Sequence, residues 1–164
     1  MKKLWDIILC FIRWWYKSVF KSPRFRLRSI YKAQKKIVRL MTFSGFRETS
    51  KPLFKSLKVM NIYEINLYLN ENFMYLQYYG KRSETFSDYF VINDSTHSHN
   101  TKSASKIHID FKRTIYRKFS LQYRGAITWN SLPSDLKGLK SSNAFKKALH
   151  TYVQSANNTL WYLD

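Results

Sequence analysis

The sequence predicts a mainly α-helical fold, a small helical bundle with one minor β-hairpin or short strand pair. Apolar residues recur at helical spacing in three stretches, at residues 27–43, 61–80 and 141–156. The alternation typical of strands is confined to "KIHIDF" and "RKFSLQY", which we expect to pair with each other. With 164 residues and 45% hydrophobic content, the chain can bury the core of one domain.

The N-terminal stretch "MKKLWDIILCFIRWWYKSVF" is apolar and basic, and with a linker it makes up residues 1–28. Asp6 interrupts the apolar run and no small-residue cleavage site follows, which argues against a secretory signal. Arg13 and Lys17 leave it too short and too charged to span a bilayer. Two interpretations stay open, an amphipathic helix in a membrane interface or a segment that packs on a partner domain. A poorly cleaved signal is the third.

The next stretch, "LRSIYKAQKKIVRLMTF", predicts a helix with one apolar and one basic side. The apolar side is expected to hold Ile30, Ala33, Ile37, Leu40 and Met41. The basic side is expected to hold Arg28, Lys32, Lys35, Lys36 and Arg39. An ordinary amphipathic helix with solvated lysines would look similar. Because no acidic residue occurs between Asp6 and Glu48, we favour a stripe that faces phosphates.

Two further helices follow before the middle of the chain. Ser50 is expected to cap a short helix with Pro52 in its first turn. Asn61 and Glu64 form a capping-box pattern at the start of a long helix, and Gly80 ends it. The predicted buried line of this helix comprises Ile62, Ile65, Leu69, Phe73, Leu76 and Tyr79.

The C-terminal half contains a polar loop, the strand pair and a last helix. Residues 81–105 are rich in Ser, Thr and Asn, and we interpret them as a loop. His97, His99 and His108 lack a firm set of partner ligands, so we interpret them as ordinary loop or strand residues rather than a metal site. The last helix, capped by Ser141 or Ser142, is expected to bury Phe145, Leu149, Tyr152 and Val153.

The charge of the chain is its most unusual property. The net charge is +19, and residues 1–40 alone hold 12 basic residues and 1 acidic residue. Residues 61–100 are mildly acidic and residues 101–164 are basic again. A charge of this size attracts polyanions, either nucleic acid or an anionic membrane surface. The single cysteine, Cys10, cannot form an internal disulfide, and an intracellular setting, nucleus or cytoplasm, is expected.

The sequence lacks the residue patterns that most kinds of catalytic site require. Two-metal nucleotidyl transfer needs neighbouring carboxylates, whereas no two of the ten acidic residues are adjacent. Four glycines do not supply a phosphate-binding loop, and no nucleophile-elbow pattern supports a serine hydrolase. We therefore expect no enzyme activity, no cofactor, no metal and no small-molecule substrate.

The order of segments resembles a known family. "YKAQKKIVRLMTF", "KPLFKSLKVMNIYEINLYLNENFMY", "HSHNTKSAS", "RKFSLQYRGAITWNSLPSDLK" and "NAFKKALHTYV" resemble, in this order, the C-terminal region of jockey-like non-LTR retrotransposon reverse transcriptases. The resemblance covers about residues 29–153 and implies a basic helical tail that follows the RNA-directed DNA polymerase core. The polymerase motif, an aromatic residue followed by paired aspartates, has no counterpart, and residues 1–28 do not match the family's lead-in.

These observations predict a non-catalytic, reverse transcriptase-like fragment that binds RNA or DNA backbone non-specifically, with the missing polymerase core as a further partner. The expected organisation is residues 1–28, a helical basic domain at 29–153 and a tail at 154–164. The phosphate-contacting residues are expected to be the stripe named above and a second cluster of Lys112, Arg113, Arg117, Lys118 and Arg124. Alternatives are a peripheral membrane protein, attached through the N-terminal helix to an anionic surface, or a relic without selected function.

The stretch "GAITWNSLP" is an apolar corner between the second cluster and the last helix. We expect Trp129 and Leu132 to pack in the core, because tryptophan is usually highly buried. Pro133 is expected to end the preceding helical turns. The alternative is an exposed Trp129 that stacks on a nucleic-acid base.

Overall fold

The computed structural model describes residues 24–81, 90–93, 105–118 and 120–155. Most of these residues are helical, which confirms the mainly α-helical prediction. The helices are α1 (Arg24–Met41), α2 (Ser50–Ser56), α3 (Ile62–Tyr78), α4 (Ile115–Lys118), α5 (Leu121–Ser131), α6 (Ser134–Lys137) and α7 (Ser142–Ser155). The predictions for residues 1–23, for His97 and His99, and for the tail after residue 155 lie outside the described residues.

Helix α3 is the centre of the fold, because α1, α5 and α7 all pack against it. The predicted buried line is therefore incomplete. Besides Ile62, Ile65 and Phe73, the helix buries Leu67, Met74 and Tyr75, while Leu69, Leu76 and Tyr79 are only half-buried. A helix with neighbours on several sides buries more than one face, which a single-face pattern cannot represent.

The main hydrophobic core lies between α3, α5 and α7. The rings of Tyr75 and Phe145 are stacked with centroids 4.1 Å apart, and Trp129 lies between Tyr78 and Phe145 at 5.3 and 6.1 Å. The predicted apolar side of the last helix is confirmed, since Phe145, Leu149 and Val153 are fully buried and Tyr152 is half-buried. The two tyrosines of α3 also hold the turn before α7, because Tyr75 Oη donates to the Leu139 carbonyl at 2.8 Å.

Both ends of α3 are fixed as the sequence predicts. Asn61 Oδ1 accepts from the backbone N–H groups of Tyr63 and Glu64 at 2.9 and 3.1 Å, and the Glu64 carboxylate accepts from Asn61 N–H at 2.9 Å. At the other end Gly80 takes a φ of 61°, and Lys81 N–H donates to the Leu76 carbonyl at 2.8 Å. This is a Schellman motif, in which glycine tolerates the left-handed backbone.

The predicted apolar side of α1 is correct for Ile30, which packs against the small core at the start of α3, and wrong for most of its other members. Ala33 and Leu40 are exposed, Leu40 at 75%, whereas the helix packs through Leu27, Gln34 and Val38. The buried side contains a polar residue and is therefore inconspicuous in the hydrophobic pattern. The helix has three sides, one buried, one basic and one apolar but exposed.

Two hydrogen bonds explain why the polar side chain of Gln34 can be buried on this side of α1. Its Oε1 accepts from Ile62 N–H at 2.9 Å, and its Nε2 donates to the Met60 carbonyl at 3.1 Å. The amide thus pairs with two backbone groups at the start of α3, one of them a helix N–H without an intrahelical partner. Buried polar groups satisfied in this way fix the orientation of one helix on another.

Two local predictions are also wrong. Ser50 lies inside the first turn of α2 and is buried, and Thr49 occupies the cap position without a side-chain hydrogen bond. Residues 117–123 are not a strand, because α4 and α5 occupy most of that stretch. The extended segment around Ile107 pairs instead with Ile92 in one antiparallel bridge. Alternation over a few residues does not distinguish a strand from a short half-buried helix.

Helix α5 lies very close to α3, and Gly125 makes this possible. A Cβ atom at Gly125 would lie 2.8 Å from Met74 Sδ and 3.3 Å from Met74 Cγ. One turn later Trp129 is 1% exposed, and Leu132 is 5% exposed with an extended backbone before Pro133. The stretch "GAITWNSLP" is therefore a packing device, which confirms the expected burial of Trp129.

We expect Gly125→Val to lower the free energy of unfolding by about 1–3 kcal/mol or more, because the added methyl groups overlap the buried Met74 side chain. Urea denaturation followed by circular dichroism measures the change. Gly138→Ala is the matched control, since a Cβ there has its nearest contact at 3.5 Å, and it should leave stability unchanged or slightly raised. Equal stability of Gly125→Val and the wild type would contradict the close approach.

Candidate nucleic-acid interface

The predicted basic residues of α1 lie on one side of the helix, about a third of a turn from its buried side at 100° per residue. Arg28, Lys32 and Lys36 are exposed. Within the described part of the chain, none of these three forms an ion pair with an acidic group. They are separated by four residues each, so their charges follow one another along the helix. This row of cations is what an extended polyanion requires.

The other two residues of the stripe have structural contacts as well. Lys35 Nζ lies 4.8 Å from the centroid of the Tyr31 ring. Arg39 donates from both Nε and Nη2 to the Glu48 carbonyl, at 3.0 and 2.8 Å. Neither side chain forms an ion pair with a carboxylate in the described residues. Arg39 therefore links the stripe to the loop that follows α1.

The second predicted cluster is split between several elements. Arg113, Arg117 and Lys118 are exposed at and before α4, whereas Arg124 is half-buried on α5. Lys112 Nζ pairs with Asp110 Oδ2 at 3.1 Å. Helix α4 packs on α5, while α1 packs on α2 and α3. The basic residues of this second cluster therefore form a less continuous row of charges than the stripe on α1.

The extended segment before this cluster is anchored by one side chain. Asn130 donates from Nδ2 to the Ile107 carbonyl at 2.9 Å, and its Oδ1 accepts from Ile107 N–H at 3.0 Å. The amide therefore pairs with the backbone as a neighbouring strand would. On its other edge the segment bonds to residues 91–93, with His108 N–H donating to the Val91 carbonyl at 2.7 Å.

His108 has both ring nitrogens engaged. Nδ1 lies 3.1 Å from Asn93 Oδ1, and Nε2 lies 3.2 Å from Asp110 Oδ1. The hydrogen bond and charge of Lys112, and then His108, hold the pKa of the exposed Asp110 carboxyl below its usual range. Across residues 24–81, 90–93, 105–118 and 120–155, no group of three or more His, Cys, Asp or Glu could hold a metal ion.

The loop between α1 and α2 carries the most exposed aromatic side chains near the stripe. Phe43 is 97% exposed and Phe46 is 81% exposed. The sequence pattern gives no sign of this, because phenylalanine is normally assigned to a core. A third phenylalanine, Phe111, is 88% exposed beside Lys112 and Arg113. Trp129, the aromatic residue considered as a stacking platform, is instead buried.

Glu71 is the buried acid of the main core. It is fully buried on α3, and neither carboxyl oxygen has a hydrogen-bond partner among the described residues. The neighbouring Thr128 hydroxyl donates to the Gly125 carbonyl at 3.2 Å instead. Burial raises the pKa of Glu71 to about 8, against smaller opposite effects of the Thr128 hydroxyl and the Lys137 charge. Such a carboxyl is largely protonated at neutral pH.

Helices α1 to α7 include none that combines the length and the apolar character needed to cross a membrane. Comparison with protein-family models, with curated proteins and with solved structures finds no match for this chain. The resemblance to retrotransposon reverse transcriptases therefore stays a prediction.

We expect the buried Glu71 to make stability depend on pH. Because its folded-state pKa of about 8 exceeds the unfolded value of 4.5, the folded chain binds a proton that the unfolded chain releases between these values. Stability should therefore fall from pH 5 to pH 8, by on the order of a few kcal/mol. Glu71→Gln should be close to the wild type at pH 5 and more stable than it at pH 8, as measured by urea denaturation. An unchanged pH slope in this variant would show that Glu71 is not the titrating group.

Proposed function

We propose that the protein binds the phosphate backbone of RNA or DNA through the basic side of α1, assisted by the second cluster, and catalyses no reaction itself. The observation that carries the proposal is the row of exposed cations Arg28, Lys32 and Lys36 without acidic partners in the described residues. Charged surfaces that serve solubility alone normally mix both signs. Here the chain has no acidic residue between Asp6 and Glu48.

Binding of this kind is driven by release of counterions from the nucleic acid. Each lysine or arginine that contacts a phosphate displaces condensed cations, so affinity falls steeply with salt. Contacts to phosphates position a protein but do not read sequence. We therefore propose non-specific binding, with the net charge of +19 accelerating the encounter.

The proposed origin is the tail of a retrotransposon reverse transcriptase, which follows the polymerase core in that family. The order of the quoted segments supports this origin, from the stripe of α1 to the "WNSLP" corner. In this setting the chain would help a polymerase core to hold template or target. No paired aspartates of the polymerase motif occur in the sequence, so the proposal assigns the chain binding and not DNA synthesis.

We expect wild-type affinity for labelled RNA and DNA oligonucleotides to fall by ~10³ or more between about 50 and 200 mM salt, if six or more phosphates are contacted. Fluorescence anisotropy measures this. The triple variant Arg28→Gln, Lys32→Gln, Lys36→Gln should reduce the slope of log K against log salt by about 2, since each single-strand contact contributes about 0.7.

The control for this experiment removes the same charge elsewhere. Lys58, Lys140 and Lys147 are exposed on other parts of the chain, so Lys58→Gln, Lys140→Gln, Lys147→Gln should reduce affinity less. Equal losses in the two triple variants would mean binding by net charge alone, as expected of a relic. Salt-independent binding of the wild type would refute the proposal.

The alternative of membrane attachment concerns residues 4–20, which lie outside the described residues. Deletion of residues 1–20 separates it from nucleic-acid binding. We expect the shortened chain to retain RNA binding, because the stripe of α1 begins at Arg28. Co-sedimentation with anionic vesicles, measured in parallel, tests the alternative. Loss of RNA binding together with vesicle binding would place the basic interface in the deleted segment instead.

A further inference from the structure

The loop after α1 presents two phenylalanine rings to solvent, where burial does not stabilise them. Phe43 is 97% and Phe46 is 81% exposed, so neither ring gains from the hydrophobic effect. Phe43 also has a φ of 52°, in the left-handed region that disfavours residues other than glycine. Stability of the isolated chain explains neither the exposure nor the residue type. The rings are therefore candidates for contact with a ligand.

Hydrogen bonds fix the backbone that carries these rings. Ser44 N–H donates to the Arg39 carbonyl at 3.0 Å, which closes a Schellman motif with Phe43 at the position that usually holds glycine. The Thr42 and Ser44 hydroxyls lie 2.8 Å apart, and Glu48 N–H donates to the Gly45 carbonyl at 3.0 Å. With the Arg39 side chain bonded to the Glu48 carbonyl, both ends of the loop are held. A backbone that is already ordered loses little conformational entropy on binding.

The rings also lie at the end of the row of cations. The stripe ends at Arg39, Phe43 follows four residues later, and the exposed Arg47 comes directly after Phe46. A basic track with aromatic rings is the arrangement by which proteins bind single-stranded nucleic acid. Duplex bases are stacked inside the helix and do not offer their faces to such rings.

We propose that the loop of residues 42–49 selects single-stranded nucleic acid, with bases stacked on Phe43 and Phe46 while the backbone lies along the basic side of α1. This rests on the proposed function and specifies its ligand. Leu40 is exposed near the loop, and its aliphatic side chain can neither stack on a base nor bind a phosphate. It could insert into a lipid surface, so its replacement distinguishes a lipid from a nucleic acid. Lipid insertion depends on apolar area, whereas stacking depends on aromatic rings.

The test replaces rings by aliphatic side chains. Phe43→Leu, Phe46→Leu keeps much of the apolar character and removes the π faces, and the fold should persist because both side chains are exposed. The probes are a labelled single strand of about 12 nucleotides and the duplex of the same length, titrated by fluorescence anisotropy. We expect the single-strand Kd to rise about tenfold or more, and the duplex Kd to stay within about twofold. Leu40→Ala is the matched control and should change neither.

The outcomes separate this inference from the proposed function. An unchanged single-strand Kd in the double variant, with salt-dependent binding intact, overturns the stacking and leaves backbone binding in place. Equal losses for single strand and duplex also overturn it. Binding of the wild type to phosphatidylserine vesicles that is lost in Leu40→Ala, with the single-strand Kd unchanged in Phe43→Leu, Phe46→Leu, assigns the apolar end of α1 to lipid and overturns the stacking. Absence of salt-dependent binding in the wild type would refute the proposed function itself.

Discussion

The whole fold depends on α3 being covered on several sides at once. Helix α5 packs on it with Gly125 against the Met74 side chain, where an added Cβ would lie 2.8 Å from Sδ. Helix α7 covers another side through Phe145, stacked on Tyr75. At the N-terminal end Leu27 packs against Ile62, and Gln34 adds two hydrogen bonds to the backbone. These three contacts position α5, α7 and α1 on α3, and α1 is the helix that carries the basic stripe.

The sequence predicts best what depends on few neighbouring residues. The capping box at Asn61 and the glycine end at Gly80 are local chemistry, so they could be predicted from the sequence. The apolar side of α1 could not be, because the exposed Leu40 looks more hydrophobic than the buried Gln34. Burial of Gln34 is decided by the backbone of residues 60–62, which are distant in sequence. The same reason explains Glu71, whose burial no pattern indicates.

Part of the candidate site follows from the sequence. The basic side of α1 could be predicted because charge at helical spacing needs no tertiary contact to place it. The exposure of Phe43 and Phe46 could not, because it follows from a turn with a left-handed residue that the sequence does not signal by glycine. The strand predicted for residues 117–123 was wrong, and its two basic residues, Arg117 and Lys118, lie on the short helix α4 instead. Asn130, which holds the preceding segment, is a contact that only the folded chain reveals.

The position of α3 in the chain has a consequence for its synthesis. Met74 and Tyr75 precede the residues that bury them, on α5 and α7, by about 50 to 80 positions. At translation rates of about 5–20 residues per second, α3 leaves the ribosome several seconds before Phe145 and Val153 exist to cover it. During that interval the hydrophobic residues of α3 are exposed to solvent on the nascent chain. Until translation has passed α7, this exposed surface is of the kind that holdase chaperones bind.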